Sequence, residues 1–472
     1  MTQIDDTYLA LESARMTRID GVLDEDMLII RQLLKVWREK YPRNLIRSTY
    51  YDAKERFRDF GISVPEQIKA KVQPMVGWPA KAVRSLADLS VFEGFALPTS
   101  DDPYGISDLV DDNELLTNTS EMIVSAYTHS CAFLTVAADP DDPSRIVLMP
   151  RSADWSSAIW DRMHNRIKAA LTITDADNTG RITGFNVWLA GRVYMCSRSS
   201  RRWTAEMVET HYDRPTVVPF AYDKQMNRPF GRSRISRIIM AQTDIGFRTV
   251  VRMEASAEFY SVPKLWFLGA DRDAFSKDTW SSLISAINAI TRDEDGQLPQ
   301  IQQISQASMQ PHSDMLKTIA RLAASEMSVP VDEMGITLDN PSSAEAMAAS
   351  ERKLTRIADR QNRSFGQALK TALGMAISLR EGLETPPDDL RHVAPIWAPT
   401  REISDAARAD SFTKLAVNIP GFADSEVGLS RAGLSHEEIL RLQADQRRIR
   451  AQQAIAQLKA VRSQDSSQAE EQ

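Results

Sequence analysis

The side chains that could perform catalysis are scattered along this sequence and converge in no recognised motif. Its histidines are His129, His164, His211, His312, His392 and His436. None falls in an HExxH or comparable spacing, which would bring two imidazoles to one metal ion. No G-x-x-x-x-G-K-[ST] loop occurs, and Gly231 lacks the glycine-rich lead that a phosphate cradle needs, so we interpret it as a turn residue. The sequence therefore predicts no catalytic centre, no metal and no cofactor.

One acidic stretch imitates the start of a calcium-binding loop. Asp175, Asp177 and Thr179 place oxygen-bearing side chains at alternate positions ahead of Gly180, as a loop that wraps a hard cation does. However, position twelve of that pattern is Asn186 instead of a bidentate glutamate, and the flanking residues alternate as strands do. We predict a β-hairpin turn here.

Two sets of basic residues could contact phosphates. Arg237, Arg248 and Arg252 share one face of a predicted long helix and are candidate DNA contacts, with a solvated or ion-paired helix face as the alternative. A denser set lies near the C-terminus: Arg441, Arg447, Arg448, Arg450, Lys459 and Arg462. It fits contact with nucleic acid or an acidic partner, and equally an amphipathic surface helix. The sequence leaves these alternatives open.

The bulk composition is that of a folded protein with more than one part. At 472 residues, 43% hydrophobic and 26% charged, the chain is too long for one ordinary core. A net charge of -7 argues against a surface that binds nucleic acid throughout. Cys131 and Cys196 fit no metal or redox spacing and indicate two buried thiols. We find no signal peptide and no run of about 18 apolar residues, so we expect use in the cytoplasm or in a particle assembled there, without membrane contact.

The elements that position these residues centre on a helical stretch from 311 to 380. Apolar residues recur at helical spacing as far as Met327, and Pro330 ends this first helix. Ser342 and Glu345 form a capping box that opens a longer second helix. Its apolar row is Met347, Leu354, Ile357, Ala358, Phe365, Leu369 and Leu373. At 1.5 Å per residue, residues 343–380 span roughly 55 Å, which predicts a strut on which the other parts are held.

The remaining segments predict a predominantly helical α+β fold. Helices are expected at 24–41, ending at Pro42, at 76–95, ending at Gly94, and at 106–128. Short alternating segments from 131 to 222 predict a meander of antiparallel strands. A helix then runs to about Tyr260, with an apolar stripe interrupted by Gln242 and Gly246. Residues 261–310 predict a strand, a helix over 278–290 and a strand, and residues 396–472 are predicted to be helical.

Five segments, kept in this order, resemble a known family. They are the pair Tyr50 and Tyr51; GWPAKAVRSLADLSVFEGF at 77–95; VPFAYDKQMNRPFGRSRI at 218–235; SVPVDEMGITLDNPSSAEAMAASERKL at 328–354; and WAPTREISDAARADSFTKL at 397–415. In combination they resemble the portal proteins of tailed bacteriophages with long non-contractile tails. The resemblance implies a structural protein of the virion: a ring of about twelve copies at one capsid vertex, with double-stranded DNA passing through its middle.

The resemblance also implies an elongated subunit with named parts. These are a wing at 1–230, a stem helix at 231–262, a clip at 263–310, a second stem helix at 311–333, a tunnel loop at 334–342, a long helix joining stem and wing at 343–383, and a helical crown with a polar tail at 384–472. The clip would meet the terminase and later the head-tail adaptor, and a major capsid or scaffolding protein would surround the ring. The tunnel-loop residues facing DNA would be Gly335, Ile336, Thr337, Leu338, Asp339 and Asn340.

The loop composition agrees with a conduit. It holds no Lys or Arg and one carboxylate, at Asp339, which suits sliding of DNA better than gripping it. The apolar stripes of the stem are expected to pack against neighbouring copies, so that Gly246→Trp should block ring formation. Two alternatives remain. An enzyme of DNA metabolism would need a carboxylate cluster or a nucleotide loop, and a helical adaptor or scaffold would bind partners without forming a ring.

Overall fold

The computed structural model describes residues 9–16, 18–54, 75–97, 102–139, 142, 144–199, 202–261, 265–268, 287–290, 308–335, 344–401, 405–434, 438–439, 441–453 and 455–456. The side chains of 258–261, 265–268, 287–290 and 344–350 lie outside that description. The chain divides into two compact units, Met1–Ala398 and Pro399–Gln472. No helix among the described residues is long and apolar enough to cross a membrane.

Helices dominate both units. Those of the first unit are α1 (Asp24–Tyr51), α2 (Trp78–Ala87), α3 (Ile106–Asp112), α4 (Leu115–His129), α5 (Arg237–Ser261), α6 (Gln310–Met327) and α7 (Ala344–Glu381). Those of the second are α8 (Asp405–Asn418) and α9 (Glu426–Ala432), and residues 441–453 are also helical. The long helix predicted from residue 343 is confirmed as α7.

The strands among the described residues form four sheets. They are β1 (Phe92–Ala96), β2 (Cys131–Ala138), β3 (Ile146–Ser152), β4 (Ser156–Asp161), β5 (Arg166–Ala176), β6 (Ile182–Leu189), β7 (Arg192–Ser199), β8 (Arg202–Glu209), β9 (Val217–Ala221), β10 (Leu265–Leu268), β11 (Ile287–Ile290) and β12 (Ala394–Trp397). Strands β4 to β8 make an antiparallel meander in sequence order, and β3-β2-β9 make a second antiparallel sheet. The pairs β1-β12 and β10-β11 are antiparallel and parallel, respectively.

Helix α1 packs its apolar stripe against the five-stranded sheet. Ile30, Leu33 and Trp37 are buried there with alternate residues of β5, β6 and β7. Asp26, also buried, accepts hydrogen bonds from the Arg192 guanidinium at 2.7 and 2.9 Å and from the Tyr194 hydroxyl at 2.7 Å. Because a buried carboxylate needs such partners, these bonds fix where α1 starts on the sheet.

Helix α7 lies on the three-stranded sheet and in the largest core. Leu354, Ala358, Phe365, Leu369 and Leu373 are buried there, as the helical period predicts. The rings of Phe365 and Phe220 stack at 5.4 Å, and the Gln361 amide donates to the Ala221 carbonyl at 3.0 Å. The side chain of Met347, predicted in the same row, lies outside the described residues.

Two predicted helix ends are wrong, and one predicted helix is divided in two. Helix α1 continues through Pro42 to Tyr51, because Trp37, Tyr41 and Asn44 are buried on both sides of the proline and offset its cost of about 3 kcal/mol. Gly94 does not end α2. It lies in β1 at φ +124°, where the pairing with β12 has a bulge. The helix predicted over 106–128 is two helices, separated where Glu114 adopts φ +47°.

The predicted strand arrangement is also incomplete. The region 131–222 is two sheets instead of one meander, because β9 returns to pair with β2. Residues 287–290, predicted to be helical, form β11, and residues 394–397, within the segment predicted to be a helical crown, form β12.

Two predicted helix boundaries also differ from the structure. The helix predicted over 311–333 ends at Met327, where Ser328 adopts φ +56°, so the chain turns before Pro330. The helix predicted from 231 begins at Arg237.

The second unit is held by local contacts among those of its residues that the structure describes. The Ser425 hydroxyl accepts a hydrogen bond from the Gly428 N–H at 3.0 Å and so caps α9, and the rings of Phe412 and Phe422 lie 6.1 Å apart. In the first unit, the capping residue predicted at Ser342 lies outside the described residues.

Candidate functional site

The described residues contain no group of three or more His, Cys, Asp or Glu side chains that could hold a metal ion. The stretch resembling a calcium loop is a hairpin turn between β5 and β6, as predicted. Its Asp177 carboxylate accepts from the Thr179 hydroxyl at 2.6 Å and from the N–H groups of Thr179 and Arg181. These bonds, the Thr179 hydroxyl first, hold the pKa of Asp177 below its ordinary value. The two thiols, Cys131 and Cys196, are buried as predicted, and burial raises the pKa of each to about 12.

A histidine, a serine and an aspartate do meet inside the first unit. His129 Nε2 lies 2.9 Å from Ser48 Oγ and 3.1 Å from Asp154 Oδ2. In a nucleophilic relay the carboxylate and the serine occupy opposite ring nitrogens, whereas here both contact the same one. His129 is buried, and the cluster joins α1, α4 and the turn after β3. It therefore acts as a packing contact between these elements.

A buried arginine organises the junction of α2, α5 and α6. Arg234 is 7% exposed and lies three residues before the start of α5. Its guanidinium donates to the Met327 carbonyl at 2.6 Å, to the Ala82 carbonyl, and to the Tyr222 hydroxyl at 3.3 Å. The Met327 carbonyl belongs to the last turn of α6, where carbonyls have no partner within the helix and a cation is favourable. Arg234 thus ties three helices and the loop after β9 to one point.

Sequence reasoning missed Arg234. It lies two residues after Arg232, which is exposed, and both stand in the same polar stretch before an apolar helix. No local pattern separates the two arginines. Only the convergence of Ala82, Tyr222 and Met327, which are distant in sequence, distinguishes them.

Helices α5 and α6 pack against each other and against α2 within one subunit. Ile239, Ala323 and Met327 are buried together with Ala82, and the Ser236 hydroxyl donates to Glu326 Oε1 at 3.2 Å. Gly246, which interrupts the row of apolar side chains, is itself buried on this face of α5. A Cβ on Gly246 would lie 2.8 Å from two ring carbons of Trp78. The glycine allows this close approach of α5 to α2.

Gly246→Trp is therefore expected to act on the subunit itself, and not selectively on assembly. We expect the free energy of unfolding to fall by about 3 kcal/mol, because the new ring overlaps Trp78. Urea denaturation followed by circular dichroism measures this. In a double-mutant cycle, Trp78→Ala should make the Gly246→Trp change less destabilising by about 2 kcal/mol. If the Gly246→Trp protein keeps its stability but forms no ring, the substitution acts on the contact between subunits, as the sequence predicted.

The predicted tunnel loop begins at a defined turn. Asp332–Met334 form a 3-10 helix, and Gly335 ends it at φ +74°, a conformation that favours glycine. The Lys81 ammonium pairs with Glu333 at 2.7 Å, and Met334 packs on the α2-α5-α6 contact. These bonds anchor the start of the loop. Ile336, Thr337, Leu338, Asp339 and Asn340 lie outside the described residues.

The structure brings the three candidate arginines of α5 onto one face. Arg237 is exposed, whereas Arg248 and Arg252 are half-buried. Asp244 lies on the same face by helical spacing, and its carboxylate accepts from the Tyr50 hydroxyl at 2.8 Å. This row of arginines therefore contains a carboxylate, and its contact with DNA stays a prediction.

The paired helices also carry exposed apolar side chains. Ile238 is 53% exposed, Met315 39% and Leu322 57%. Met315 and Leu322 are seven residues apart and so share one face of α6. Large apolar side chains on a helix are favoured where a partner covers them.

The basic residues near the C-terminus are only partly described. Arg441, Arg447, Arg448 and Arg450 are exposed on the helical residues 441–453, and Arg448 pairs with Asp445 at 3.5 Å. Lys459 and Arg462 lie outside the described residues. An exposed, partly ion-paired helix leaves both predicted alternatives for this set open.

Comparison with known proteins gives consistent matches over most of the chain. A family model described as phage portal protein, SPP1 Gp6-like, matches residues 30–452. The portal protein of Mycobacterium phage L5 is 28% identical over 441 residues, covering 88% of this chain and 87% of that protein. The portal protein of Mycobacterium phage D29 is 28% identical over 415 residues, covering 85% and 84%. Among solved structures, a chain from the neck of a native GTA particle, computed with C12 symmetry, aligns with 76% of this chain and 89% of its own length, at 15% identity and a TM-score of 0.38.

Proposed function

The chain belongs to the SPP1 Gp6-like family of phage portal proteins, and from this premise we propose which of its parts build the channel and which line it. As a portal protein it is a structural component of the virion. It forms a ring-shaped channel at one capsid vertex, through which double-stranded DNA is packaged and ejected. The match to the family model over residues 30–452 carries this conclusion.

We assign α5 and α6 to the stem of the ring. Within one subunit they bury Ile239, Ala323 and Met327 against each other, and they leave Ile238, Met315 and Leu322 exposed. Neighbouring copies cover these residues in a closed, heterologous ring of about twelve subunits. Residues 1–230 form the wing, 263–310 the clip, 343–383 the long helix joining stem and wing, and 384–472 the crown and polar tail.

The tunnel loop, residues 334–342, faces the DNA. Its start is held by the Lys81-Glu333 pair, and the residues that follow carry no positive charge. Each phosphate contact made by a Lys or Arg adds counterion-release affinity, which would be repeated in every copy of the ring. A loop without such residues lets DNA slide. Arg237, Arg248 and Arg252 stand as candidate phosphate contacts of the stem.

Lysines introduced into this loop should bind the phosphates of passing DNA and slow its movement through the channel. For Thr337→Lys combined with Asn340→Lys, we expect the yield of DNA-filled particles to fall roughly tenfold at low salt and to recover as salt is raised. The matched control is Thr337→Gln with Asn340→Gln, which adds similar length without charge. An equal loss in both variants would mean that loop size, and not charge, governs passage.

The ring also positions partners at the capsid vertex. The clip meets the terminase during packaging and the head-tail adaptor afterwards, and a capsid or scaffolding protein surrounds the wing during assembly in the host cytoplasm. No step in this assignment requires a catalytic residue. Negative-stain imaging of the purified protein tests it: a roughly twelve-fold annulus with a central hole supports the channel. Solitary subunits that bind partners without closing a ring would favour a helical adaptor.

A further inference from the structure

A cavity of about 650 Å³ lies at one end of the five-stranded sheet in the first unit. Its walls are the β5-β6 turn, the adjoining ends of β7 and β8, and the N-terminal residues 10–20. Backbone hydrogen bonds hold the N-terminal segment there. The Ala10 N–H donates to the Gly180 carbonyl at 2.6 Å, and the Ala205 N–H donates to the Asp20 carbonyl at 2.8 Å. Leu9, Ala14 and Ile19 are buried beneath it. The cavity is thus a built feature of the fold, within the size range of ligand sites.

Positive charge dominates this cavity. Its lining includes Arg15, Arg18, Arg181, Arg198 and Arg202. The carboxylates in the lining are Glu12 and Asp20, and Asp20 pairs with Arg18 at 3.5 Å. No carboxylate among the described residues forms an ion pair with the other four arginines. The nearby Asp177 already accepts three hydrogen bonds in its own turn.

Such a concentration of guanidinium groups is unusual in a protein whose net charge is -7. Guanidinium forks match carboxylate and phosphate groups, and several together in a concave site raise the local concentration of anions. Repulsion among the arginines is unfavourable unless an anion relieves it. The cavity therefore has the chemistry of an anion-binding site.

The shape of the site favours a peptide over duplex DNA. A duplex is a stiff rod that binds along surfaces and grooves, and it cannot enter a cavity of this size. An extended peptide is a single chain whose side chains alternate in direction, so that successive carboxylates can reach different arginines.

We propose that this cavity binds an acidic segment of a partner protein, an extended stretch rich in aspartate and glutamate. The matched family region begins at residue 30, so the wall formed by residues 10–20 precedes it. The site would give this subunit a docking point that does not depend on the channel.

The test uses the full-length protein and a fluorescein-labelled peptide of about ten glutamates, with binding followed by fluorescence anisotropy at about 50 mM salt. For Arg181→Glu combined with Arg202→Glu we expect the affinity for the peptide to fall about tenfold or more, because two guanidinium groups are replaced by carboxylates that repel the peptide. Both side chains are exposed, so folding should be unaffected, and circular dichroism checks this.

The matched control is Arg162→Glu combined with Lys168→Glu. Both residues are exposed and outside the cavity, Arg162 in the turn between β4 and β5 and Lys168 on β5, and the change in net charge is the same. The control should bind the peptide within about twofold of the unaltered protein. Equal weakening in both double variants would overturn the proposal, as would no binding by the unaltered protein. A short duplex DNA bound more tightly than the peptide, through Arg181 and Arg202, would overturn it too. Because the cavity lies within one subunit, none of these results affects the assignment of the channel.

Discussion

Replacing Leu322 by aspartate is expected to abolish ring assembly and to leave the subunit folded. Leu322 is 57% exposed on α6, so its replacement disturbs little within the subunit. In a ring, the change removes the burial of one leucine, about 2 kcal/mol, and adds an unpaired carboxylate to an apolar contact. A loss of about 4 kcal/mol at each interface lowers the association constant roughly a thousandfold, and the loss recurs around the ring.

Sedimentation velocity measures this outcome, and thermal unfolding followed by circular dichroism reports whether the subunit is intact. Leu322→Met should preserve the ring because it conserves apolar volume. Met163→Asp provides a second comparison, since Met163 is 87% exposed in the turn between β4 and β5. Closed rings formed as readily by the Leu322→Asp protein would contradict the assignment of α6 to the subunit interface.

Replacing Arg234 by methionine is expected to lower the free energy of unfolding by about 4 kcal/mol. The methionine keeps much of the apolar stem but donates no hydrogen bond. The Met327 carbonyl, at the end of α6, then loses its donor, and the Ala82 carbonyl keeps only the bond from its own helix. Each buried acceptor left without a partner costs about 1–3 kcal/mol.

The Arg234→Met change is best made in the Leu322→Asp protein and followed by urea denaturation, because unfolding of the subunit is then separated from dissociation of the ring. Arg232→Met is the matched control: Arg232 is exposed two residues away, and its loss should change stability by less than about 0.5 kcal/mol. Similar losses for both variants would mean that Arg234 acts through general charge and not through its three acceptors.

Regular periodicity made part of this fold predictable. Leu354, Phe365 and Leu373 repeat at helical spacing over many turns, and α7 buries all three. The strands β11 and β12 were missed because each is four residues long and is defined by a distant partner. Similarly, Pro42 stands inside α1 because of contacts made by its neighbours, which a local rule cannot include.

The candidate site was less predictable than the fold. Gly246 was interpreted as a gap in an apolar stripe, although its missing side chain is what admits Trp78. Arg234 and Arg232 look alike in sequence and differ only in what surrounds them. The arginines of the basic cavity come from three stretches of chain, residues 15–18, 181 and 198–202, and only the folded sheet brings them together.

The antiparallel pair β1-β12 has a consequence for biosynthesis. It joins residues 92–96 to residues 394–397, with α7 and most of the first unit between them. During translation β1 leaves the ribosome long before its partner strand exists, and closing so long a loop is slow. The nascent chain must keep this edge unpaired until nearly the whole first unit has emerged, which makes that interval the one in which it most needs protection from aggregation.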